Sequence, residues 1–106
     1  METQKQILSF DASLIVQQLG GNKFIVMTGA KNFVKDDSKK MIAFKIGRNC
    51  KSVNHVRITL NSMDTYDMEF IRIRAGKLTV VHTANNVYND MLQDVFTEHT
   101  GLYTRL

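Results

Sequence analysis

The sequence predicts an α+β domain, a five-stranded antiparallel meander sheet flanked by an N-terminal and a C-terminal helix, with residues 1–106 forming one domain. Three observations carry this prediction. Apolar residues recur with helical spacing near each end of the chain. Between those ends, short segments alternate apolar and polar residues, as half-buried strands do. No helix-length segment separates one strand from the next, which disfavours a parallel βαβ arrangement.

In chain order, the first element covers residues 10–19, where Ala12, Ile15, Val16 and Leu19 fall on one helical face. Ser9 or Asp11 is placed to cap its start by accepting a free backbone N–H. Gly20-Gly21-Asn22 ends it, since glycine reaches the left-handed conformation common at helix C-termini. The apolar run Phe24-Ile25-Val26-Met27 is predicted as the first strand, and the following Asn32 to Ser38 as a loop. Met41 to Ile46 is the second strand, with Ile42, Phe44 and Ile46 on one side and Lys45 on the other. His55 to Leu60 alternates most clearly: Val56, Ile58 and Leu60 point one way and His55, Arg57 and Thr59 the other.

Met68 to Arg74 breaks parity, because Met68 and Phe70 alternate out of step with Ile71 and Ile73. A β-bulge near Phe70-Ile71 would let all four face the core and turn Arg72 and Arg74 outward. Ala75-Gly76 then makes a tight hairpin into Lys77 to His82, with Leu78 and Val80 inward. The closing helix runs from about Asn85 to His99, with Thr83 or Asn85 as cap. Val87, Met91, Leu92, Val95 and Phe96 form its apolar stripe, and Asp90, Asp94 and Glu98 its solvated side. Gly101 is its C-cap. The expected core includes Val56, Ile58, Leu60, Phe70, Val80, Met91 and Val95.

Composition excludes several classes. Apolar residues make up 43% and charged residues 23%, as in soluble globular domains and unlike disordered chains. The absence of proline argues against rigid linkers and proline-rich ligands. No apolar run approaches the roughly 18 residues that span a bilayer, so no membrane association is expected. METQKQILSF lacks the basic and apolar regions of a signal peptide. With Cys50 as its single cysteine, the chain makes no internal disulfide, and the expected location is cytoplasmic.

Met27-Thr28-Gly29-Ala30-Lys31-Asn32 invites comparison with a phosphate-binding loop but lacks the required glycine spacing and following helix. An ordinary turn is the simpler account. His55, His82 and His99 are far apart and stand at no ligand spacing, so no metal site is expected. A catalytic Cys50 would need a histidine and an orienting group brought together by the fold, and closeness to His55 in sequence does not supply that, so a spare thiol near a loop is the simpler account. Asp64, Asp67 and Glu69 surround Tyr66, yet Asp64 and Asn61 suit a turn, and Glu69 suits a cross-strand pair with Arg57. No catalytic residue and no cofactor is assigned, and the chain is not expected to be an enzyme.

The strongest signal is cationic. Net charge is +4, and residues 31–51 hold seven basic residues against Asp36 and Asp37, leaving +5 there. If both helices cover one sheet face, Lys45, Arg57, Arg72 and Arg74 share the other. Lys31, Lys39 and Lys40 would add charge from the adjoining segment. Such a face suits a phosphate backbone. It lacks aromatic platforms, with only Tyr66, Tyr88 and Tyr103 left as stackers. A solvated face with ordinary cross-strand ion pairs is the competing account.

Leu-Gly-Gly-Asn-Lys-Phe-Ile-Val-Met-Thr-Gly-Ala-Lys-Asn-Phe (19–33), Val-Arg-Ile-Thr-Leu-Asn-Ser-Met-Asp-Thr-Tyr-Asp-Met-Glu-Phe (56–70) and Thr-Gly-Leu-Tyr-Thr-Arg-Leu (100–106) resemble a group of small uncharacterised proteins encoded by bacteriophages and prophages. The resemblance implies a mobile-element origin and an accessory binding role. It implies no activity, cofactor or catalytic residue. Nucleic acid is the first expected partner. A host protein, such as a defence factor to be inhibited, and a second copy of the chain in a homo-oligomer are the alternatives.

Overall fold

The computed structural model describes residues 12–47, 49, 51–102 and 104. The predicted caps Ser9 and Asp11, together with Arg48, Cys50 and Tyr103, lie outside them. Helices α1 (Ala12–Leu19) and α2 (Gly21–Thr28) precede strands β1 (Lys31–Asp36), β2 (Met41–Lys45), β3 (His55–Leu60), β4 (Tyr66–Arg74) and β5 (Lys77–Val87). A 3₁₀ turn (Asn89–Met91) then leads into α3 (Leu92–Thr100). The sheet order is β1-β2-β3-β4-β5, antiparallel throughout, so the predicted five-stranded meander is the observed one.

One of its strands is not where the sequence placed it. Phe24 to Met27 lies in α2, not in a strand. A four-residue apolar run cannot distinguish strand from helix by periodicity. Here, Phe24 and Thr28 bury on one helical face, and the Thr28 hydroxyl donates to the Phe24 carbonyl at 2.7 Å. Gly20, at φ 128°, makes the corner between α1 and α2. Gly29, at φ 71°, caps α2, its N–H donating to the Ile25 carbonyl at 3.0 Å.

The missing strand is β1, in the stretch predicted as a loop. It is an edge strand exposed along nearly its whole length, so it has no buried face to impose alternation on its sequence. Asp36 closes its turn into β2: one carboxylate oxygen accepts from the Ser38 hydroxyl, the Ser38 N–H and the Lys39 N–H. Those bonds, the Ser38 hydroxyl foremost, hold the carboxyl below its ordinary pKa.

The three described helices cover the same sheet face. Ile15, Leu19, Phe24, Leu92 and Phe96 form one cluster with Ile42, Phe44, Val56, Ile58, Met68 and Phe70. The Phe24 ring meets Phe44 and Phe96 edge-on, with centroids 5.6 and 5.3 Å apart, joining α2 to β2 and α3. Val56, Ile58 and Phe70 are buried as expected, while Leu60 and Val95 pack partly buried against the cluster. Val80 and Met91 are instead exposed. Met91 belongs to the 3₁₀ turn, because β5 runs on to Val87 and α3 starts only at Leu92, not near Asn85.

Val80 is exposed because of where the bulge lies. The pairing does slip at Phe70/Ile71, but the extra residue belongs to β5: Phe70 faces His82 and Ile71 faces Val80. A second slip occurs between Tyr66 and Met68. β4 therefore alternates without interruption. Met68 and Phe70 face the helices, whereas Ile71 is buried on the opposite face, between His55 and Val80 in the register.

Candidate nucleic-acid interface

Uninterrupted alternation in β4 separates the four cations expected on one face. Lys45 and Arg57 lie on the face opposite the described helices, in the rows of His55 and Glu69. Arg72 and Arg74 have the parity of Phe70 and sit on the helix side, opposite Thr79 and Lys77. Arg57 is also neutralised: its Nε donates to Glu69 Oε1 at 2.5 Å, the cross-strand pair the sequence suggested. Lys39 and Lys40 occupy the β1–β2 turn, at the end of the sheet away from Arg72 and Arg74. A single basic face is therefore absent among the described residues.

What the fold gathers instead is a cationic end of the sheet. β1 and β5 begin there, β2 and β4 finish there, and Lys31 pairs with Lys45 while Arg74 pairs with Lys77. Like charges placed directly opposite one another in a ladder are unfavourable. Around them lie two concavities. One, of about 640 Å³, is lined by Lys45, Ile46, Gly47, Asn49, Ser52, Val53, Asn54 and Arg74. The other, of about 310 Å³, is lined by Arg72, Arg74, Ala75, Lys77 and Thr79. Arg74 borders both, and neither is lined by a carboxylate. Among the described residues, the ion pairs are Lys35–Asp37 and Arg57–Glu69, neither of them at this end.

The floor of the larger concavity is built by asparagines. Asn54 acts as an extra rung of the ladder: its side chain donates to the Ile73 carbonyl and accepts the Ile73 N–H, each at 2.8 Å. Its backbone N–H donates to the Ile71 carbonyl at 3.0 Å. Asn49 Oδ1 accepts from the Lys51 and Val53 N–H groups, and its Nδ2 donates back to the Gly47 carbonyl, folding the loop on itself. Arg72 Nε donates to the Ser52 carbonyl at 3.3 Å, tying the loop to β4. The cations thus project from braced backbone.

Lys51, from the basic 31–51 segment, and Lys77 also belong to this end. The place of Lys77 is legible in the sequence, because a two-residue Ala75-Gly76 turn puts Lys77 opposite Arg74; both turn residues have positive φ, 54° and 79°, as such a turn requires. Of the tyrosines considered as stackers, Tyr66 is buried, and Tyr88 is exposed but follows the far end of β5. His82 and His99, distant in sequence, meet: their rings stack with centroids 3.7 Å apart.

Among the described residues, no three histidine, cysteine, aspartate or glutamate side chains gather as a metal site. No described helix is long and apolar enough to cross a bilayer. No family model, curated protein or solved structure matches the chain.

Proposed function

We propose that the chain is a small accessory protein of the phage type that acts by binding, not catalysis, and that it holds nucleic acid at the cationic end of its sheet. The observation that carries this proposal is the pair of like-charged register partners, Lys31 with Lys45 and Arg74 with Lys77, with Lys45, Arg74 and Lys77 bordering two carboxylate-free concavities that share Arg74. A fold gains nothing from facing like charges, whereas a polyanion bridging them relieves their repulsion and releases its own counterions.

Anisotropy titration of labelled oligonucleotides tests it. Contacts from Lys45, Arg72, Arg74 and Lys77 should give a log–log salt slope of roughly −3 to −4 on duplex DNA, and a shallower one on a single strand. Reversing Arg74 and Lys77 to glutamate should abolish binding, while reversing Lys39 and Lys40 should leave most of it. No binding to either form at tens of micromolar and low salt would end the proposal.

One observation favours a second reading, a protein partner or a second copy of the chain. On the face opposite the described helices, Ile73 pairs with Leu78 and Ile71 with Val80, and Leu78 and Val80 are 52% and 43% exposed. Sedimentation of the protein at increasing concentration, compared with Leu78→Lys, tests self-association through this strip.

A further inference from the structure

We infer that the His82–His99 stack is a base-stacking platform, and that the nucleic acid bound beside it is therefore single-stranded. This rests on the nucleic-acid proposal above and names the class of ligand. The two imidazoles lie 3.7 Å apart with an interplanar angle of 23°. Beneath them is Phe70, fully buried, with its centroid 5.2 Å from His99 and 6.3 Å from His82. His99 is half-buried in the last turn of α3, and His82 is exposed on β5, an edge strand. His99 covers one side of the His82 ring, and His82 as a residue is exposed, so the inferred platform takes a base on the ring's other side.

This surface adjoins the cationic end. His82 is opposite Phe70 and Thr79 is opposite Arg72, so His82 and Arg72 are diagonal neighbours on the helix side of the sheet. From the other side, Lys51 stands close enough for its charge to act on His99. Burial first, and then the His82 charge, hold His99 below the ordinary imidazole pKa; Lys51 acts in the same direction and Glu98 against it. At pH 8 the His99 ring is therefore neutral. A planar aromatic stack flanked by cations is what binders of unpaired strands use, with phosphates on the charges and a base on the ring. A duplex keeps its base faces inside its own stack and offers such a ring nothing.

The test compares an oligothymidine with an abasic oligonucleotide of equal length at pH 8, using the full chain, His82→Ala and His82→Phe. The platform requires oligothymidine to bind more tightly than the abasic strand. His82→Ala should lower oligothymidine affinity by about five- to 150-fold, the equivalent of one stacked base, and leave the abasic strand unchanged. His82→Phe should retain the affinity, because a phenyl ring stacks without a proton. Equal binding of the two strands to the unmodified chain would overturn the platform while leaving the nucleic-acid proposal standing. Equal losses in His82→Ala and His82→Phe would do the same. Binding of neither strand would overturn both.

Discussion

Single residues at this protein's helix ends and ladder breaks have identifiable physical roles. Gly101 has φ 77°, and its N–H donates to the Thr97 carbonyl at 2.8 Å, closing α3. Gly101→Ala should therefore lower stability by about 1 kcal/mol, seen as a lower melting temperature. An unchanged value would mean that α3 is stabilised without this cap. Two histidines give a pH dependence. Burial, then the Lys45 charge, depress His55, and burial, then the His82 charge, depress His99. As pH falls below about 6.5, the unfolded chain takes up protons before the folded one does. Stability should thus be full above that pH and decline from there toward the lower folded values. Thermal melts at pH 7.5 and 5.5 check the sign, and the double variant His55→Asn, His99→Asn should flatten the difference.

At the scale of elements, the β4–β5 hairpin sets stability against binding. Arg74 faces Lys77 across it, and both border the smaller concavity. Lys77→Glu replaces a repulsive pair with an attractive one, so it should raise stability by about 0.2–1 kcal/mol. The same variant should weaken oligonucleotide binding severalfold and make its salt slope about one unit shallower. Opposite movements of melting temperature and affinity would identify this end as shaped for a ligand. If both fall together, the charges serve the fold. The elements also show where sequence periodicity succeeds. β3 has one face against the helices, and its alternation was legible residue by residue. β1 has no buried face, so Lys31 to Asp36 carried no such signal. The parity conflict in β4 is real, but the extra residue lies in β5 and not in β4. A pairing slip can be absorbed by either partner, and β5 absorbs this one.

At the scale of the fold, one apolar layer lies between the sheet and the three described helices. Ile58 lies fully buried in that layer, paired with Ile42 and Met68. Ile58→Ala should cost about 2–5 kcal/mol by chemical denaturation, through lost burial and the cavity left behind. A cost under about 1 kcal/mol would contradict the layer as described. The antiparallel meander explains the cationic end: strands that alternate in direction bring the start of β1 and β5 and the finish of β2 and β4 to one end of the sheet. Lys45, Arg74 and Lys77 are up to 32 positions apart in the chain, yet the meander brings them to two concavities that share Arg74.

The sequence by itself determined the α+β class, the five-strand meander, the Ala75-Gly76 hairpin, the Arg57–Glu69 pair and most of the sheet's buried residues. Each of these depends on local rules: side-chain period, turn chemistry and direct cross-strand neighbours. Only the tertiary structure decided that residues 24–27 are helical, because the packing of Phe24 between Phe44 and Phe96 outweighs the preference of so short a run. It also decided which face each arginine of β4 occupies, because parity follows from which strand takes the extra residue. The His82–His99 stack belongs to the same class. It joins an edge strand to the last turn of a helix, and no local rule brings two such residues within 3.7 Å.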